Sequence, residues 1–380
     1  MKILYHHRTK SRDGQFIHIQ ALISAFRRAG HEVDEQGLTA TKSSSLSEKS
    51  HFWDRFVELV PRKIIEVLEY IYSVPAAIWL WSRIVKDRPD FIYERYALGN
   101  YAGVLAAHWA RLPIVLEVNS PLAREKNDTG QLHFKWLAET SERNILKWAT
   151  KIIVVSGVLK EIFVQQGIDP RKLIVIPNGI HAHDYLHRNG STSREKYGLG
   201  DSIVIGFIGF FREWHKLDQV LDLFADQLYD LNVKLLMVGD GPVRGELEDK
   251  VRALNLHDRV IWTGIVEHAR IPDALSAMDI ALQPGVTEYA SPLKIFDYMA
   301  AGRAIVAPRQ KNILELLDDN ETGLLYEPGN MKEMGEALRR LVLDPELRER
   351  IGRAARNRLE EGGFTWDSNA ERVLQLFDRG

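Results

Sequence analysis

The sequence lacks cysteine: none of its 380 residues is one. This excludes disulfide bonds and thiolate nucleophiles, and it fits a reducing compartment. Long apolar runs are also lacking, because the most apolar stretch, Val74 to Trp81, is far shorter than the roughly 20 residues that span a bilayer. The residues after Met1 soon become polar, which predicts an opening strand and not a signal peptide. We therefore expect a cytoplasmic protein.

The chain also lacks a large excess of charge of either sign, and it lacks the common metal-binding and dinucleotide-binding motifs. The formal net charge of −2 gives no reason to expect a nucleic-acid partner. The chain has no His-Glu-x-x-His or Asp-x-Asp, and His181 and His183 form an isolated pair, so we expect no metal site. Only Gly14 follows the first strand, where a dinucleotide fingerprint needs three glycines. This argues against a nicotinamide oxidoreductase.

Short apolar runs alternate with helical patterns almost throughout the chain. One series runs from Lys2 to Ile176, and a second starts after the break at Pro177-Asn178-Gly179. Two such series predict two α/β domains with doubly wound, mostly parallel sheets, placed at 1–182 and 183–363. Ligands of such sheets bind beyond the C-terminal ends of the strands, so we expect the site in a cleft between the domains. The predicted strands are Lys2–Tyr5, Phe91–Tyr93, Ile114–Val118, Ile152–Val155, Leu173–Ile176, Ile203–Ile208, Lys234–Val238, Val260–Trp262, Ile280–Gln283, Ala304–Ala307 and Gly323–Tyr326.

The most informative stretch is 287–303, where a strand leads through a polar loop into a helix. Ser291 suits the N-cap position and Pro292 the first helical position. The free amides of Leu293 and Lys294 and the helix dipole then form an anion-binding site.

Two further residues of this helix extend the prediction. Gly302 is suited to end the helix. Asp297 lies four residues beyond Leu293, which places it on the same face and about 6 Å further along the axis. This is about the step from a diphosphate to a ribose, so one short helix could hold both parts of a nucleotide sugar.

Two other loops of the second domain carry glycine beside charged residues. Gly209 ends a strand and lets the backbone approach a ligand closely. Arg212, with His215 or Lys216, could clamp phosphate oxygens; the alternative is that these basic side chains are simply solvated. Gly241 follows the next strand and favours an architectural turn over a direct ligand contact.

Candidate acceptor contacts lie in the first domain. Gly14 could bring the backbone close to a substrate, and His18 lies on the helix that follows, where a packed histidine is the alternative. Glu117 and Asn119 end a strand and could bond to a hydroxylated acceptor, or they form a polar turn. Arg95 either pairs with the preceding glutamate or reaches an anionic part of the acceptor.

A Ser/Thr-rich loop is predicted at 38–50, and a helical pattern with apolar and basic residues follows from Phe52 to Arg83. A pair of half-buried helices is the favoured interpretation. The alternative is a basic, Trp-bearing face that touches a membrane surface.

The order and spacing of these motifs resemble glycosyltransferase family 4, whose members are retaining transferases with the GT-B fold. The similar stretches are Arg12 to His18, Glu117 to Pro121, Ile176 to Ile180, Gly209 to His215, Val238 to Pro242, Trp262 to Gly264, Ala281 to Pro284, and Ser291 to Gly302. The resemblance implies that the second domain binds a nucleotide-diphosphate sugar, through the basic loop and the helix start. It also implies that Asp297 binds the ribose, that Glu288 touches the sugar, and that 364–380 packs back on the first domain.

The resemblance further implies transfer of a sugar to an acceptor hydroxyl without a metal or other cofactor, in polysaccharide, glycolipid or glycoconjugate assembly. Arg212, Lys216 and Glu288 are then the catalytic candidates. Two rivals stay open: a nucleotide-sugar epimerase on the same fold, which would need no acceptor, and a catalytically inactive binding subunit. Contact of the first domain with the inner membrane face is a further expectation.

Overall fold

The computed structural model describes residues 1–9, 14–37, 62–186 and 188–377. The loop predicted at 38–50, the start of the helical pattern at Phe52, and the motif residues Arg12 and Asp13 lie outside the described residues. No helix in the described ranges is both long enough and apolar enough to cross a bilayer.

The chain divides into two compact units. The first contains residues 1–177 and 369–380, and the second contains 178–368. The predicted boundaries, after 182 and before 364, lie a few residues from these limits. Ile180 pairs with Thr365 in a β-bridge, and this pairing keeps 178–182 and 364–368 in the second unit. In the first unit, Phe377 stacks on Phe91 with ring centroids 4.4 Å apart. The end of the chain thus packs on the first unit.

The first unit contains a six-stranded parallel sheet with the order β2-β1-β3-β4-β5-β6. Its strands are β1 (Lys2–His7), β2 (Glu32–Gly37), β3 (Phe91–Arg95), β4 (Ile114–Val118), β5 (Lys151–Val154) and β6 (Leu173–Val175). Its helices are α1 (Gly14–Arg28), α2 (Arg62–Ile71), α3 (Ser73–Asp87), α4 (Ala102–Ala110), α5 (Leu122–Asp128), α6 (Lys135–Trp148) and α7 (Gly157–Gln165).

The second unit contains another six-stranded parallel sheet, with the order β12-β11-β10-β7-β8-β9. Its strands are β7 (Ile203–Ile208), β8 (Val233–Val238), β9 (Val260–Gly264), β10 (Ile280–Leu282), β11 (Ala304–Pro308) and β12 (Leu324–Tyr326). Its helices are α8 (Gly190–Lys196), α9 (Leu217–Gln227), α10 (Arg244–Ala253), α11 (Ile271–Ser276), α12 (Leu293–Ala300), α13 (Lys311–Leu314), α14 (Met331–Leu343) and α15 (Pro345–Glu361), and α16 (Trp366–Leu374) runs from this unit into the first.

The strands of the second sheet are apolar on both faces. In β7, Ile205 and Phe207 belong to one buried core, whereas Val204 and Ile208 belong to the other. Side chains alternate between the faces of a strand, so a sheet covered by helices on both sides requires a continuous apolar run. All eleven predicted strands are confirmed, with small shifts at their ends. Only β2 was missed, because its sequence is mostly polar.

Each sheet has one strand at which the strand order reverses, so that the chain adds its later strands on the other side of it. In the first sheet β2 and β3 flank β1, and in the second sheet β8 and β10 flank β7. The connections that leave neighbouring strands at such a point run in opposite directions, which opens a crevice beyond the carboxyl ends of the strands. The ends of β1 and β3, and of β7 and β10, are therefore where ligands are expected.

The hydroxyl of Tyr298, on α12, bridges the crevice of the second sheet. It accepts a hydrogen bond from the Ile208 amide at 3.2 Å and donates one to the Leu282 carbonyl at 3.2 Å. These two backbone groups lie at the ends of β7 and β10, beyond the last residues that pair between the strands. The buried tyrosine thus replaces missing sheet hydrogen bonds and fixes α12 against both strands.

We predict that Tyr298→Phe lowers the free energy of unfolding by about 1–3 kcal/mol, because it leaves a buried amide without an acceptor. Chemical denaturation measures this change. Tyr229→Phe is the control, because Tyr229 is exposed and the Arg259 guanidinium lies over its ring, which the substitution keeps. Equal stability of the Tyr298 variant and the wild type would contradict the bridging role.

Candidate functional site

The loop that follows β7 presents an arginine between two exposed aromatic rings. The guanidinium carbon of Arg212 lies 4.6 Å from the ring centroid of Phe210 and 5.4 Å from that of Trp214. Both rings are about half exposed. Stacking of this kind holds the guanidinium in one orientation while leaving its N–H groups available. Lys216, the other predicted cation of the loop, is exposed and has the left-handed backbone of a turn (φ 56°).

Lys294 joins this loop to the start of α12. Its Nζ lies 2.9 Å from Nε2 of His215 and 4.2 Å from the ring centroid of Phe207. Gly209 is necessary here, because it has φ +135° and a Cβ at its position would lie 3.2 Å from Nζ of Lys294. The structure therefore brings together three predicted donor-site residues, two from the loop after β7 and one from the start of α12.

The pKa values of this pair decide where the charge lies. Burial lowers the pKa of His215 to about 3, and the neighbouring Lys294 and Arg212 cations act in the same direction. Burial lowers the pKa of Lys294 to about 7, although Asp297 opposes the shift. At neutral pH His215 is thus a neutral hydrogen-bond partner of Lys294. The predicted contact of His215 with phosphate oxygens stays a prediction, and it would be made by a neutral ring beside Lys294.

The start of α12 differs from the predicted cap. Pro292, not Ser291, is the cap residue, and the helix begins at Leu293. Ser291 is buried instead: its Oγ accepts from the Asn178 amide at 3.1 Å, and its carbonyl accepts from Asn178 Nδ2 at 2.7 Å. No group among the described residues accepts from the amides of Leu293 or Lys294. The prediction of an N-cap is wrong, but the helix still begins with two unpaired amides.

The end of α12 is as predicted. Gly302 has φ +62°, its amide donates to the Met299 carbonyl at 2.9 Å, and the Arg303 amide donates to the Tyr298 carbonyl at 3.0 Å. This pair of bonds is the Schellman motif, which requires the left-handed backbone that glycine adopts without strain.

Asp297 lies one turn after Lys294 and already has one partner. The Tyr185 hydroxyl donates a hydrogen bond to its Oδ1. Burial raises the pKa of Asp297 to about 6, although this hydrogen bond and the charges of His268 and Lys294 act in the opposite direction. Tyr185 precedes Asp297 by 112 residues in the chain. Nothing in the sequence links them, so the contact was missed.

Glu288 lies on an exposed turn, and a buried residue missed by the sequence analysis holds that turn in place. Asn312, in α13, donates from Nδ2 to the carbonyls of Thr287 at 3.1 Å and Ala290 at 2.8 Å. Its position next to Lys311 in a short helix gives no sign of this role. The position of Glu288 thus depends on Asn312.

Gly241 is architectural, in agreement with the favoured interpretation of its loop. A Cβ at this position would lie 2.3 Å from the Phe211 carbonyl oxygen and 2.4 Å from the Phe211 amide nitrogen. The absence of a side chain lets the loop after β8 pack against the loop after β7. Gly241 therefore acts through Phe211 and the loop that carries Arg212.

Glu117 is the centre of a polar cluster in the first unit. Its Oε1 accepts from Arg95 at 2.7 Å and from Asn119 at 2.7 Å, and it lies 3.2 Å from Nε2 of His18. The Tyr93 hydroxyl donates to its Oε2 at 2.9 Å. The carboxylate is buried and fully engaged, so it positions its neighbours. The contact of Glu117 or Asn119 with an acceptor stays a prediction, whereas the pairing of Arg95 with the preceding glutamate is wrong, because Arg95 pairs with Glu117.

Charge in this cluster resides on Arg95 and Glu117. Burial opposes ionisation of Glu117, but His18, the Arg95 cation and the hydrogen bonds from Asn119 and Tyr93 together lower its pKa below the usual value. The contribution of His18 requires a protonated imidazole. However, burial lowers the pKa of His18 to about 4, and the imidazole is therefore neutral at pH 7.

A cavity of about 250 Å³ lies next to this cluster. Asn119 and Arg95 line it, together with Gln15, which follows the predicted residue Gly14 at the start of α1. His18 and Glu117 do not line the cavity, but Glu117 accepts from both Arg95 and Asn119. Among the described residues, no group of three or more His, Asp or Glu side chains could hold a metal ion.

Two family models match the chain. The model described as "Glycosyl transferases group 1" matches residues 190–358, and the model described as "Glycosyltransferase Family 4" matches residues 12–184. The chain belongs to glycosyltransferase family 4. The two matched regions correspond to the two compact units, apart from the ends of the chain.

Curated relatives in this family are similar at modest identity. The alpha-D-kanosaminyltransferase of Streptomyces kanamyceticus is 27% identical over 64% of this chain and 65% of its own length. The N-acetyl-alpha-D-glucosaminyl L-malate synthase of Bacillus anthracis is 28% identical over 51% of each protein. The chain thus spans about half to two thirds of the length of these relatives.

Solved structures share the fold along the whole chain. Anabaena HepE in complex with UDP has a TM-score of 0.75 at 18% identity, and the alignment covers 99% of both chains. The sucrose-phosphate synthase of Thermosynechococcus elongatus has a TM-score of 0.74 at 19% identity, over 99% of this chain and 98% of that one. The fold of the family 4 chain is therefore GT-B, as the resemblance implied.

We predict that Gly241→Ala lowers the free energy of unfolding by about 1–3 kcal/mol, because the new Cβ would overlap with the Phe211 backbone. The matched control is Gly245→Ala in α10, where a Cβ meets nothing within 4 Å. The control should be neutral, or more stable by about 0.5–1 kcal/mol as expected for a helical glycine. Urea denaturation distinguishes the two, and equal stabilities would contradict the packing argument.

Proposed function

We propose that this protein transfers a sugar from a nucleotide-diphosphate sugar to an acceptor hydroxyl with retention of anomeric configuration. The observation that carries the proposal is the convergence of Lys294, Gly209 and two unpaired helix amides at the crevice of the second sheet. Such a place attracts phosphate oxygens. Relatives support the choice of ligand, since Anabaena HepE structures contain UDP and UDP-glucose.

The second unit supplies the donor contacts. Lys294 and the amides of α12 neutralise the diphosphate, and Arg212 adds its planar fork from the opposite loop, with Lys216 beside it. Preorganised donors of this kind contribute about 3 kcal/mol each to stabilising a developing charge. The proposal thus assigns neutralisation of the leaving group to side chains and amides and not to a metal or other cofactor.

Two carboxylates complete the donor contacts. Asp297 follows Lys294 by one turn and would accept from the ribose hydroxyls through the oxygen that Tyr185 does not occupy. Glu288, on the turn held by Asn312, would contact the transferred sugar. The sugar's bond to the diphosphate breaks, the acceptor oxygen bonds to the same face, and its proton passes to a phosphate oxygen of the leaving group.

The first unit would bind the hydroxylated acceptor, which is a glycan, a glycolipid or a small molecule. The neutral imidazole of His18 and the amide of Asn119 are held by Glu117, and the adjoining cavity provides room. Gly14 begins the helix that carries His18. We place the reaction in the cytoplasm, in polysaccharide, glycolipid or glycoconjugate assembly.

We predict that UDP binds and that its affinity falls above pH 7. A bound diphosphate raises the pKa of Lys294 from about 7, so binding above this pH takes up a proton, and the affinity falls by up to about tenfold per pH unit. The terminal phosphate of UDP titrates near pH 6 and affects only the lower range. Isothermal titration calorimetry between pH 7 and 9 in two buffers measures affinity and proton uptake.

Lys294→Met should remove this pH dependence and weaken UDP binding at least about tenfold, as expected for a lost charge-assisted hydrogen bond. The variant should be at least as stable as the wild type without ligand, because it removes a charge whose burial is unfavourable. Lys332→Met, at an exposed position of α14, is the control. Absence of UDP binding in the wild type would overturn the donor site.

We propose in addition that α3 rests on a membrane surface. One stripe of this helix is buried, formed by Ser73, Ala77, Leu80 and Ile84. A second stripe with the same helical spacing is apolar but exposed, and it consists of Val74, Ile78, Trp81 and Val85. A helix that is apolar on its outer face needs a further partner.

The charges beside this exposed stripe select the partner. Lys63, Lys86 and Arg88 are exposed. Asp87 is paired with Arg83 at 3.3 Å, so it does not offset Lys86 and Arg88 at the end of α3. Tryptophan and aliphatic side chains flanked by cations are typical of surfaces that bind anionic lipid headgroups.

We predict that the protein co-sediments with phosphatidylglycerol vesicles more than with phosphatidylcholine vesicles. The double variant Ile78→Ser, Trp81→Ser should lose most of this binding, because its outer stripe is no longer apolar. Leu343→Ser, an exposed apolar residue of the second unit, should bind as the wild type does. Equal sedimentation of both variants, or no vesicle binding at all, would rule out this contact.

A further inference from the structure

The cavity of the first unit lies at the crevice of its sheet. Arg8 and Thr9 follow β1, Arg95 ends β3, and Asn119 and Ser120 follow β4, and all five line the cavity. Because β2 and β3 flank β1 on opposite sides, the connections diverge here. The cavity therefore occupies the position in this sheet that the Lys294 cluster occupies in the other.

Positive charge predominates in the cavity wall. The eleven described residues that line it include Arg8, Arg95 and Lys126, and none of them is Asp or Glu. The other polar groups are neutral, such as Gln15 and Ser120. A neutral polyol would need hydrogen-bonding groups but would not need three cations.

Two carboxylates contact residues of the wall, Glu117 at Arg95 and Glu125 at the Ser120 hydroxyl, but neither pairs with Arg8 or Lys126. Arg95 is 2.7 Å from Glu117 through Nη1 alone, so other N–H groups of its guanidinium stay available. The guanidinium of Arg8 lies over the ring of Tyr72, with its carbon 5.2 Å from the centroid. Among the described residues, no carboxylate forms an ion pair with Arg8 or Lys126. The wall thus has surplus positive charge.

We propose that this cavity binds an anionic group of the acceptor, a phosphate or a carboxylate, and so restricts the proposed transferase to acidic acceptors. The proposal rests on the proposed function. Arg8 and Arg95 present planar forks that match the oxygens of such a group, and Lys126 adds a point charge. A volume of about 250 Å³ admits the anionic group together with part of a small polyol.

Calorimetric titrations with sn-glycerol 3-phosphate and glycerol test this inference. Saturating UDP is present throughout, so that the phosphate site of the second unit is filled, and the ionic strength is constant. Inorganic phosphate and succinate are titrated separately to distinguish a phosphate from a carboxylate. The variants are Arg8→Gln and Lys126→Gln. Arg95 is left unchanged because it also holds Glu117.

The matched control is Arg124→Gln. Arg124 is on α5 with Lys126, carries the same charge, is half exposed and is not part of the cavity wall. We expect glycerol 3-phosphate to bind and glycerol not to bind. Arg8→Gln and Lys126→Gln should each weaken binding at least about tenfold, whereas the control should change it less than about twofold.

Equal affinity for glycerol and glycerol 3-phosphate would overturn the inference, and so would an equal loss in the Arg124 control. Stronger binding of phosphate than succinate would identify the anion as a phosphate, and the reverse as a carboxylate. Binding of UDP without anion selectivity overturns this inference alone. Failure of UDP to bind overturns the proposed function, and with it the assignment of the anion as an acceptor.

Discussion

The hydroxyl of Tyr298 is the contact on which the second unit's site depends. It satisfies two backbone groups at the point where β7 and β10 separate, and it thereby fixes α12 against both strands. Lys294 and Asp297 are on the same short helix, so their positions relative to the loop of Gly209 follow from this contact. Where two strands separate to form a crevice, their backbone groups lose the hydrogen bonds of the sheet. A buried side chain that replaces these bonds can also position a ligand site.

The two units handle buried charge in opposite ways. In the second unit burial lowers the pKa of Lys294 to about 7 and leaves His215 neutral, so the positive charge of Lys294 is only weakly stabilised by the protein itself. In the first unit Glu117 collects a cation and hydrogen bonds, and its pKa stays low despite burial. The anionic partner is thus internal in the first unit, whereas in the second unit it is the diphosphate of the proposed donor. The cations that Glu117 does not neutralise line the cavity beside it.

The sequence predicted strands well and side-chain partners poorly. Apolar runs of three to six residues mark strands covered on both faces, and each of them was found because burial on two faces leaves a simple pattern. The polar strand β2 lies at the sheet edge and lacks this pattern. Ser291 has the residue type of a cap, but its hydroxyl bonds to Asn178, 113 residues away. The preference of serine for helix caps was thus outweighed by a hydrogen bond from a backbone amide that is distant in the chain.

The sequence by itself determined the two α/β units, the family, the helix that begins with free amides and the glycines that bring backbones close together. Each of these depends on residues near one another in the chain, or on motifs in a fixed order. The tertiary structure decided which cation faces Gly209, that His215 is neutral, that Glu117 is an internal partner and that Asn312 holds the turn of Glu288. Those properties depend on burial and on hydrogen bonds between distant segments, which only the packed chain brings into contact.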